Sequence, residues 1–294
     1  MKPPRFDYYA PQNLDEALAL LEKFGGDGRV LAGGQSLVPL MNMRLAAPRQ
    51  VIDINRIATL DYLEERDGFV CLGALTRHRT IERAPLIGTR CPLLSQAVAF
   101  VGHPQVRTRG TIGGSVAHGD PAAEYPAVVA ALDGQIVVQS VRGQRVIGWR
   151  EFFLGHYSVD LEPDEMVVEI RLRKAARRSA SAFLEISRRQ GDFALVETAV
   201  EMQLDQAGGC AHVSIALGGV GGTPVRAVAG EACLQGQLLT AQSVRDAAML
   251  AVEGLEPDDD IHGSSSYRKR MASLLVARSL EEAAKNAANA DRKD

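Results

Sequence analysis

The 294-residue sequence has no surplus of either charge: 33 Lys and Arg stand against 36 Asp and Glu, a formal net charge of −3. A nucleic-acid footprint needs a basic excess, so no nucleic-acid partner is expected. Long apolar runs are also missing. Stretches such as residues 122–132 and 271–277 are interrupted or too short for a bilayer, and the start MKPPRFDYYAP has no apolar core of the signal-peptide kind. The expectation is a cytoplasmic protein with no membrane insertion. The four cysteines, Cys71, Cys91, Cys210 and Cys233, lie far apart, with no C-x-x-C and no Cys/His cluster at zinc or iron–sulfur spacing. This chain by itself therefore builds no iron–sulfur cluster. G-x-G-x-x-G and G-x-x-x-x-G-K-[ST] are absent too, which removes the Rossmann and P-loop readings.

What is present is a bare, polar-edged turn, LAGGQSLVPLMNMRL at residues 31–45. Two adjacent glycines followed by Gln and Ser can lay several backbone N–H groups along one concave wall, because glycine reaches positive φ freely and has no Cβ to block a guest. An anion, commonly phosphate, fits such a wall. Before the turn, Asn13-Leu-Asp-Glu16 reads as a capping box. Leu14, Ala17, Leu18, Leu21 and Phe24 then form an apolar helical stripe that Gly25-Gly26 ends. Residues 29–32 and 50–54 read as short strands flanking the turn, with 37–45 as a helix-like connection. A unit this small has a small core.

A second segment runs to about residue 173. It has strands near 69–73 and 135–141, helices near 76–83, 92–101 and 122–131, and a hairpin turn at Arg142-Gly143. The polar, unpatterned run at 174–179 suits a domain junction. Beyond it, Val200, Met202 and Leu204 alternate with polar residues, as do Val213, Ile215 and Leu217 across the turn 205–209. This predicts an antiparallel hairpin with one buried face. Helices are predicted near 226–235, 241–253 and 267–288. The domains expected are 1–57, 58–177 and 178–294, and no internal repeat is visible.

A second glycine turn, RGTIGGSVAHGDPAAEYPA at 109–127, repeats the design of the first. Two such turns can close on one diphosphate. The ordered set A-G-G-Q-S-L (32–37), I-D-I (52–54), R-G-T-I-G-G-S (109–115) and S-R-R-x-G-D-F (187–193) resembles the FAD-binding medium subunit of the molybdenum hydroxylases, the carbon-monoxide-dehydrogenase-like and xanthine-dehydrogenase-like enzymes. DDDIHGSSSYRKRMASLLVAR at 258–278 is similar to that family's closing segment, so the resemblance covers nearly the whole chain.

The resemblance implies an α+β fold: two α/β subdomains of the vanillyl-alcohol-oxidase-like FAD-binding type, followed by a C-terminal antiparallel sheet with a helical bundle. FAD is the implied cofactor. Carried over position by position, its diphosphate would meet Ala32, Gly33, Gly34, Gln35, Ser36 and Leu37 in the first turn and Thr111, Gly113, Gly114 and Ser115 in the second. A bulky side chain at Gly33 or Gly114 would occlude the anion. Glu124 matches a carboxylate that accepts hydrogen bonds from ribityl hydroxyls; its bland alternative is a solvated first-turn glutamate favoured by the helix dipole. Val167 falls where strand backbone approaches either the flavin end or the adenine. Phe193 takes a place where relatives carry an aromatic beside the isoalloxazine. His103 and His118 flank the second turn without a carboxylate spacing that would complete a metal site.

The same resemblance implies two partners, a molybdopterin-binding large subunit that oxidises substrate and a small subunit with two [2Fe-2S] clusters. FAD would pass electrons to an external acceptor, and no catalytic dyad is needed in this chain. Tyr267 and Arg268 are candidate docking contacts or, more simply, helix-start packing. The alternative is a free-standing FAD-dependent oxidoreductase of the same fold.

Overall fold

The computed structural model describes residues 2–176 and 178–290. The N-terminal unit runs β1 (Asp7–Tyr9), α1 (Leu14–Phe24), β2 (Gly28–Leu31), α2 (Leu37–Asn42) and β3 (Gln50–Asp53), with a parallel sheet in the order β1-β3-β2. Parallel neighbours require crossovers, and the helices supply them. Asn13 caps α1 by accepting the Glu16 N–H at 2.9 Å. The Glu16 carboxylate returns to the N–H of Gln12 at 2.8 Å rather than to that of Asn13, so the predicted box is offset by one residue. Ala17, Leu18 and Leu21 are buried beneath it, with Leu14 and Phe24 packed partly at the rim. This core continues into Val137, Met166 and Val168 of the next sheet. So small a unit completes its core by borrowing from its neighbour.

The middle unit contains β4 (Leu63–Arg66), β5 (Phe69–Gly73), α3 (His78–Arg83), α4 (Pro85–Arg90), α5 (Pro92–Ala97), α6 (Pro104–Arg109), α7 (Ile112–His118) and α8 (Glu124–Ala131). It continues through β6 (Gln135–Ser140), β7 (Gly143–Gly148), α9 (Trp149–Phe152), β8 (Phe153–Gly155), β9 (Ser158–Val159) and β10 (Met166–Arg173). Its antiparallel sheet has the order β4-β5-β10-β6-β7, and β8 and β9 form a separate ribbon. The last strand in sequence is thus the middle strand in space.

The C-terminal unit is β11 (Ser179–Ser187), β12 (Ala194–Leu204), β13 (Cys210–Gly218), β14 (Val225–Arg226), α10 (Val228–Leu234), α11 (Ala241–Leu250) and α12 (Ser265–Ala290), its strands in sequential antiparallel order. The predicted hairpin is present as β12 and β13. Its expected single buried face is corrected: the first half of β12 is buried on both sides. Val196, Val200 and Met202 pack with Leu275, Val276 and Leu280 of α12. Ala199 joins Phe183, Ala216 and the residues of α8 in the core of the middle unit. Helix α8 is accordingly buried along its whole length and shows no amphipathic stripe, as a helix covered on all sides should. Among the described residues, no helix is long and apolar enough to cross a membrane.

One polar pair sits inside this apolar layer. The hydroxyls of Thr198 on β12 and Ser279 on α12 meet at 2.6 Å, and both residues are fully buried. Thr198→Ala should cost about 1–3 kcal/mol, since it strands the Ser279 hydroxyl. Thr198→Val combined with Ser279→Ala should recover much of that loss. Urea denaturation of the three proteins checks it; equal losses in the single and double variants would contradict the pairing.

Candidate cofactor site

Two clefts flank α7, one before its first residue and one after its last. The smaller, about 360 Å³, is lined by Ala32 to Gln35 of the first glycine turn, by Val38 and Pro39, by Asp53 at the end of β3 and Asn55 just beyond it, and by Arg109 at the end of α6. Gly34 sits at φ +73°, a conformation that L side chains rarely adopt. Among the described residues, none of the N–H groups from Gly33 to Leu37 has a protein acceptor. Ser36 precedes α2 without capping it, so its hydroxyl is uncommitted as well. Five successive donors beside a guanidinium suit an anion.

The second turn is arranged differently. The N–H groups of Ile112, Gly113 and Ser115 donate to Thr76, Ala74 and Thr111 carbonyls at 3.0–3.1 Å, and that of Gly114 donates to the Thr111 Oγ1 at 3.2 Å. Its backbone donors are therefore engaged within the protein, leaving the exposed face of Gly114 and the half-buried Ser115 hydroxyl. A Cβ on Gly33 would lie 2.5 Å from the Arg109 carbonyl oxygen and 2.6 Å from the Gly110 Cα. A side chain there would hit the opposite turn, and one on Gly114 would meet the Thr111 Oγ1 at 2.8 Å. Gly33 lets the two turns abut, whereas Gly114 leaves room for the Thr111 cap of its own turn; both are constraints beyond the expected occlusion of an anion.

Two residues that pattern reading passed over, Asn55 and Arg77, hold this junction together with the acid of the I-D-I motif. Asn55 Nδ2 donates to the Ala32 carbonyl at 2.8 Å and its Oδ1 accepts from Arg77 Nη2 at 2.6 Å. Arg77 Nη1 donates to the Arg109 carbonyl oxygen. Asp53, the acid of I-D-I, accepts from the Asn55 N–H at 2.9 Å and from the Tyr8 hydroxyl at 2.6 Å. The partners of Arg77 lie 22 and 32 positions away, so no local spacing could have announced it.

The larger cleft, about 600 Å³, is bounded by Asp120, Pro121 and Ala122 after α7, by Tyr157, by residues 191–195 entering β12, and by the loop before α12. Phe193 projects here, 58% exposed. Arg268 is turned inward, 7% exposed, donating to the Leu195 and Gly219 carbonyls and to Asp260 at 2.7 Å. It builds the cleft wall and is not a docking contact. Arg188 at the rim meets the His262 Nδ1 at 3.0 Å. The His118 ring lies 5.2 Å from that of Tyr157. Among the described residues there is no His, Cys, Asp or Glu group able to hold a metal ion. Val167 lines neither cleft: it pairs with Val138 inside the middle sheet, and its side chain belongs to the core.

Glu124 is not the solvated first-turn acid of the bland reading. It is 5% exposed, directly behind the larger cleft's Asp120–Ala122 wall. Glu197 of β12 is fully buried, with neither carboxyl oxygen hydrogen-bonded, and the missing side chain of Gly218 opposite leaves it room. Burial first, with lesser help from the neighbouring Glu185 and Asp120, pushes Glu124 up to about 8 against the opposing pull of its own backbone N–H and, more weakly, of Arg107. Burial and the charges of Glu124, Glu185 and Asp120 raise Glu197 well above the carboxylate range. A raised acid binds its proton more tightly folded than unfolded. Its contribution to stability is complete below the unfolded value near 4.5 and is lost as pH climbs through about 8. The thermal midpoint should therefore fall across that interval, and Glu124→Gln should flatten the fall. Parallel curves for the two proteins in a calorimetric pH series would refute a protonated Glu124.

Comparisons with known proteins accord with this geometry. Residues 4–174 match the family described as FAD binding domain in molybdopterin dehydrogenase, and residues 181–283 match CO dehydrogenase flavoprotein C-terminal domain. Similar relatives include the 6-hydroxypseudooxynicotine dehydrogenase complex subunit alpha of Paenarthrobacter nicotinovorans, 41% identical over 96% of both chains. The carbon monoxide dehydrogenase medium chain of Hydrogenophaga pseudoflava is 39% identical over 96% of this chain and 98% of its own length. Among solved structures, quinoline 2-oxidoreductase from Pseudomonas putida 86 superposes with a TM-score of 0.93 at 36% identity, covering 98% of this chain and 99% of that one. The α+β fold and FAD as cofactor follow from these matches and from the unpartnered donors of the first turn. The chain belongs to the family of FAD-binding medium subunits of the molybdenum hydroxylases, and is a subunit of an oxidoreductase.

Proposed function

We propose that this chain is the electron exit of a heteromeric molybdenum hydroxylase, receiving electrons from the [2Fe-2S] clusters of a small subunit and passing them to an external acceptor. Substrate oxidation belongs to a molybdopterin-binding large subunit. The observation that carries the reading is the pair of clefts at the two ends of α7, one with five unpartnered backbone donors and Arg109, the other with an exposed aromatic over a buried floor. When bound, FAD supplies two-electron redox chemistry that can also proceed one electron at a time.

The work of the residues follows from their positions. Gly33, Gly34 and Gln35 line the smaller cleft and, with the Ser36 hydroxyl and the Leu37 N–H that follow them, would seat the diphosphate; of the second turn, the exposed Gly114 and the Ser115 hydroxyl are the groups left to meet it, while the buried Thr111 and Gly113 hold that turn in place. Phe193, exposed in the larger cleft, would pack against the isoalloxazine, and the buried Glu124 would act from outside the cleft lining, beyond Asp120–Ala122. Val167 acts through its strand, whose neighbour Val168 accepts the Ala74 N–H at 2.9 Å below the second turn. On this reading residues 1–57 and 58–177 hold the cofactor between them, and 178–294 closes the flavin end. The four dispersed cysteines, three of them buried, offer no cluster ligation, so electrons enter from outside the chain.

The full chain should carry one noncovalent FAD, released into the supernatant by acid precipitation. Mixing it with the chemically reduced small subunit should bleach the flavin band within the mixing experiment. Oxidation of the complex's organic substrate by this chain alone would overturn the proposal in favour of a free-standing oxidoreductase.

A further inference from the structure

We propose that Arg77, acting through Asn55, is the positioning residue that locks the two glycine turns into one anion seat, with Asp53 of the I-D-I motif as the anchor of that lock. The inference rests on the reading of the smaller cleft as the seat of the diphosphate. Arg77 lies just ahead of α3 and does not itself line that cleft, but it bonds two residues that do. Its guanidinium links the two sides of the junction: Nη1 donates to the Arg109 carbonyl beside the second turn, and Nη2 donates to Asn55, whose amide donates to the Ala32 carbonyl of the first. A single extended bridge also pairs the Arg77 backbone with Thr111.

Tying off these carbonyls has an electrostatic consequence. The two carbonyl oxygens at the seam, Ala32 and Arg109, would otherwise present negative dipole ends to an anion. With them consumed, what remains beside the cleft is Arg109 and the unpartnered N–H groups of its lining residues Gly33, Gly34 and Gln35, followed along the chain by those of Ser36 and Leu37. Arg77 also stands close to a like charge. Burial, then the Arg109 charge, pull it below the usual guanidinium range, against Asp61 and Asp53. It remains a cation, since guanidinium does not deprotonate in proteins. Two cations held together beside an empty row of donors are relieved when an anion arrives.

Only a planar fork can serve here. Lysine keeps the charge but is a point donor on a flexible stem, and it cannot hold the Arg109 carbonyl and the Asn55 amide oxygen in fixed directions. Asn55→Asp keeps an acceptor for Arg77 and removes the donor to Ala32. Arg77→Lys therefore keeps the charge and removes the geometry, whereas Asn55→Asp removes the donor to Ala32 and adds a negative charge beside the seat.

The test measures binding of FAD, of ADP as a diphosphate competitor and of riboflavin as a phosphate-free control, using the full chain and its Arg77→Gln, Arg77→Lys and Asn55→Asp variants. Flavin fluorescence and competition report affinity, and far-UV circular dichroism and the thermal midpoint report folding. Arg77→Gln should weaken FAD and ADP by a similar factor, about 10- to 100-fold, as expected for loss of charge-assisted hydrogen bonds, with riboflavin unchanged. It should also reduce the salt dependence of ADP binding. Arg77→Lys should restore the salt dependence without restoring affinity, and Asn55→Asp should weaken FAD and ADP together. Wild-type ADP affinity in Arg77→Gln overturns the proposal, as does a loss confined to FAD. A loss that comes with an unchanged salt dependence and a lowered thermal midpoint in all three variants makes Arg77 a structural strut and overturns it too. If ADP fails to compete with FAD in the wild-type chain, the reading of the smaller cleft falls, a result distinguishable from failure of the Arg77 assignment.

Discussion

The backbone of the first glycine turn rests directly on the backbone of the second, with the place where a Gly33 Cβ would stand only 2.5 Å from the Arg109 carbonyl oxygen. Everything about the cofactor site depends on that approach. It sets the smaller cleft at a seam between the parallel sheet of the N-terminal unit and the antiparallel sheet of the middle one. Two surfaces that meet through bare backbone leave no side chains to fill the space beside them. The polar groups exposed by the contact must then be partnered or offered to a ligand. Asn55 and Arg77 take the carbonyls, and the N–H groups remain.

The second constraint is the burial of α8 between two sheets. Its apolar length lets the middle and C-terminal units share one core, in which Phe183, Ala199 and Ala216 lie with Val128 and Val129. The helix begins at Glu124, however, so the shared layer starts with an acid and meets Glu185 and Glu197 from the other side. Among the described residues, Glu197 has no hydrogen-bond partner, and the charges acting on it are those of other acids. A carboxylate in that setting is far costlier than a carboxylic acid. A protonated floor behind the larger cleft is the consequence, and it makes the seam between the two units sensitive to alkali.

The four quoted motifs marked both turns, the acid that anchors Asn55, and the aromatic at the larger cleft. The hairpin, the helix cap and the long last helix were legible because each obeys a local period or a capping rule. The two buried faces of β12 were not legible, since its alternation over residues 200–204 is true locally and the covering helix is about 70 positions earlier. The same holds for Arg268, which reads as a surface arginine at a helix start and is in fact held by carbonyls from β12 and the end of β13.

The sequence by itself determined that the chain has two glycine-rich turns of similar design, that its cysteines lack the spacing of an iron–sulfur cluster, and that a polar run precedes an alternating strand pair and further helical segments. These are properties of residue type and near spacing. Only the tertiary structure decided that the two turns contribute unequally, with free donors in the first and satisfied donors in the second, because hydrogen-bond partners such as Ala74 and Thr76 are supplied by distant segments. It alone decided that Arg77 and Asn55 clasp the turns and that Glu124 is buried. Burial and long-range pairing are set by which surfaces meet, and that is a property of the folded chain rather than of any stretch of it.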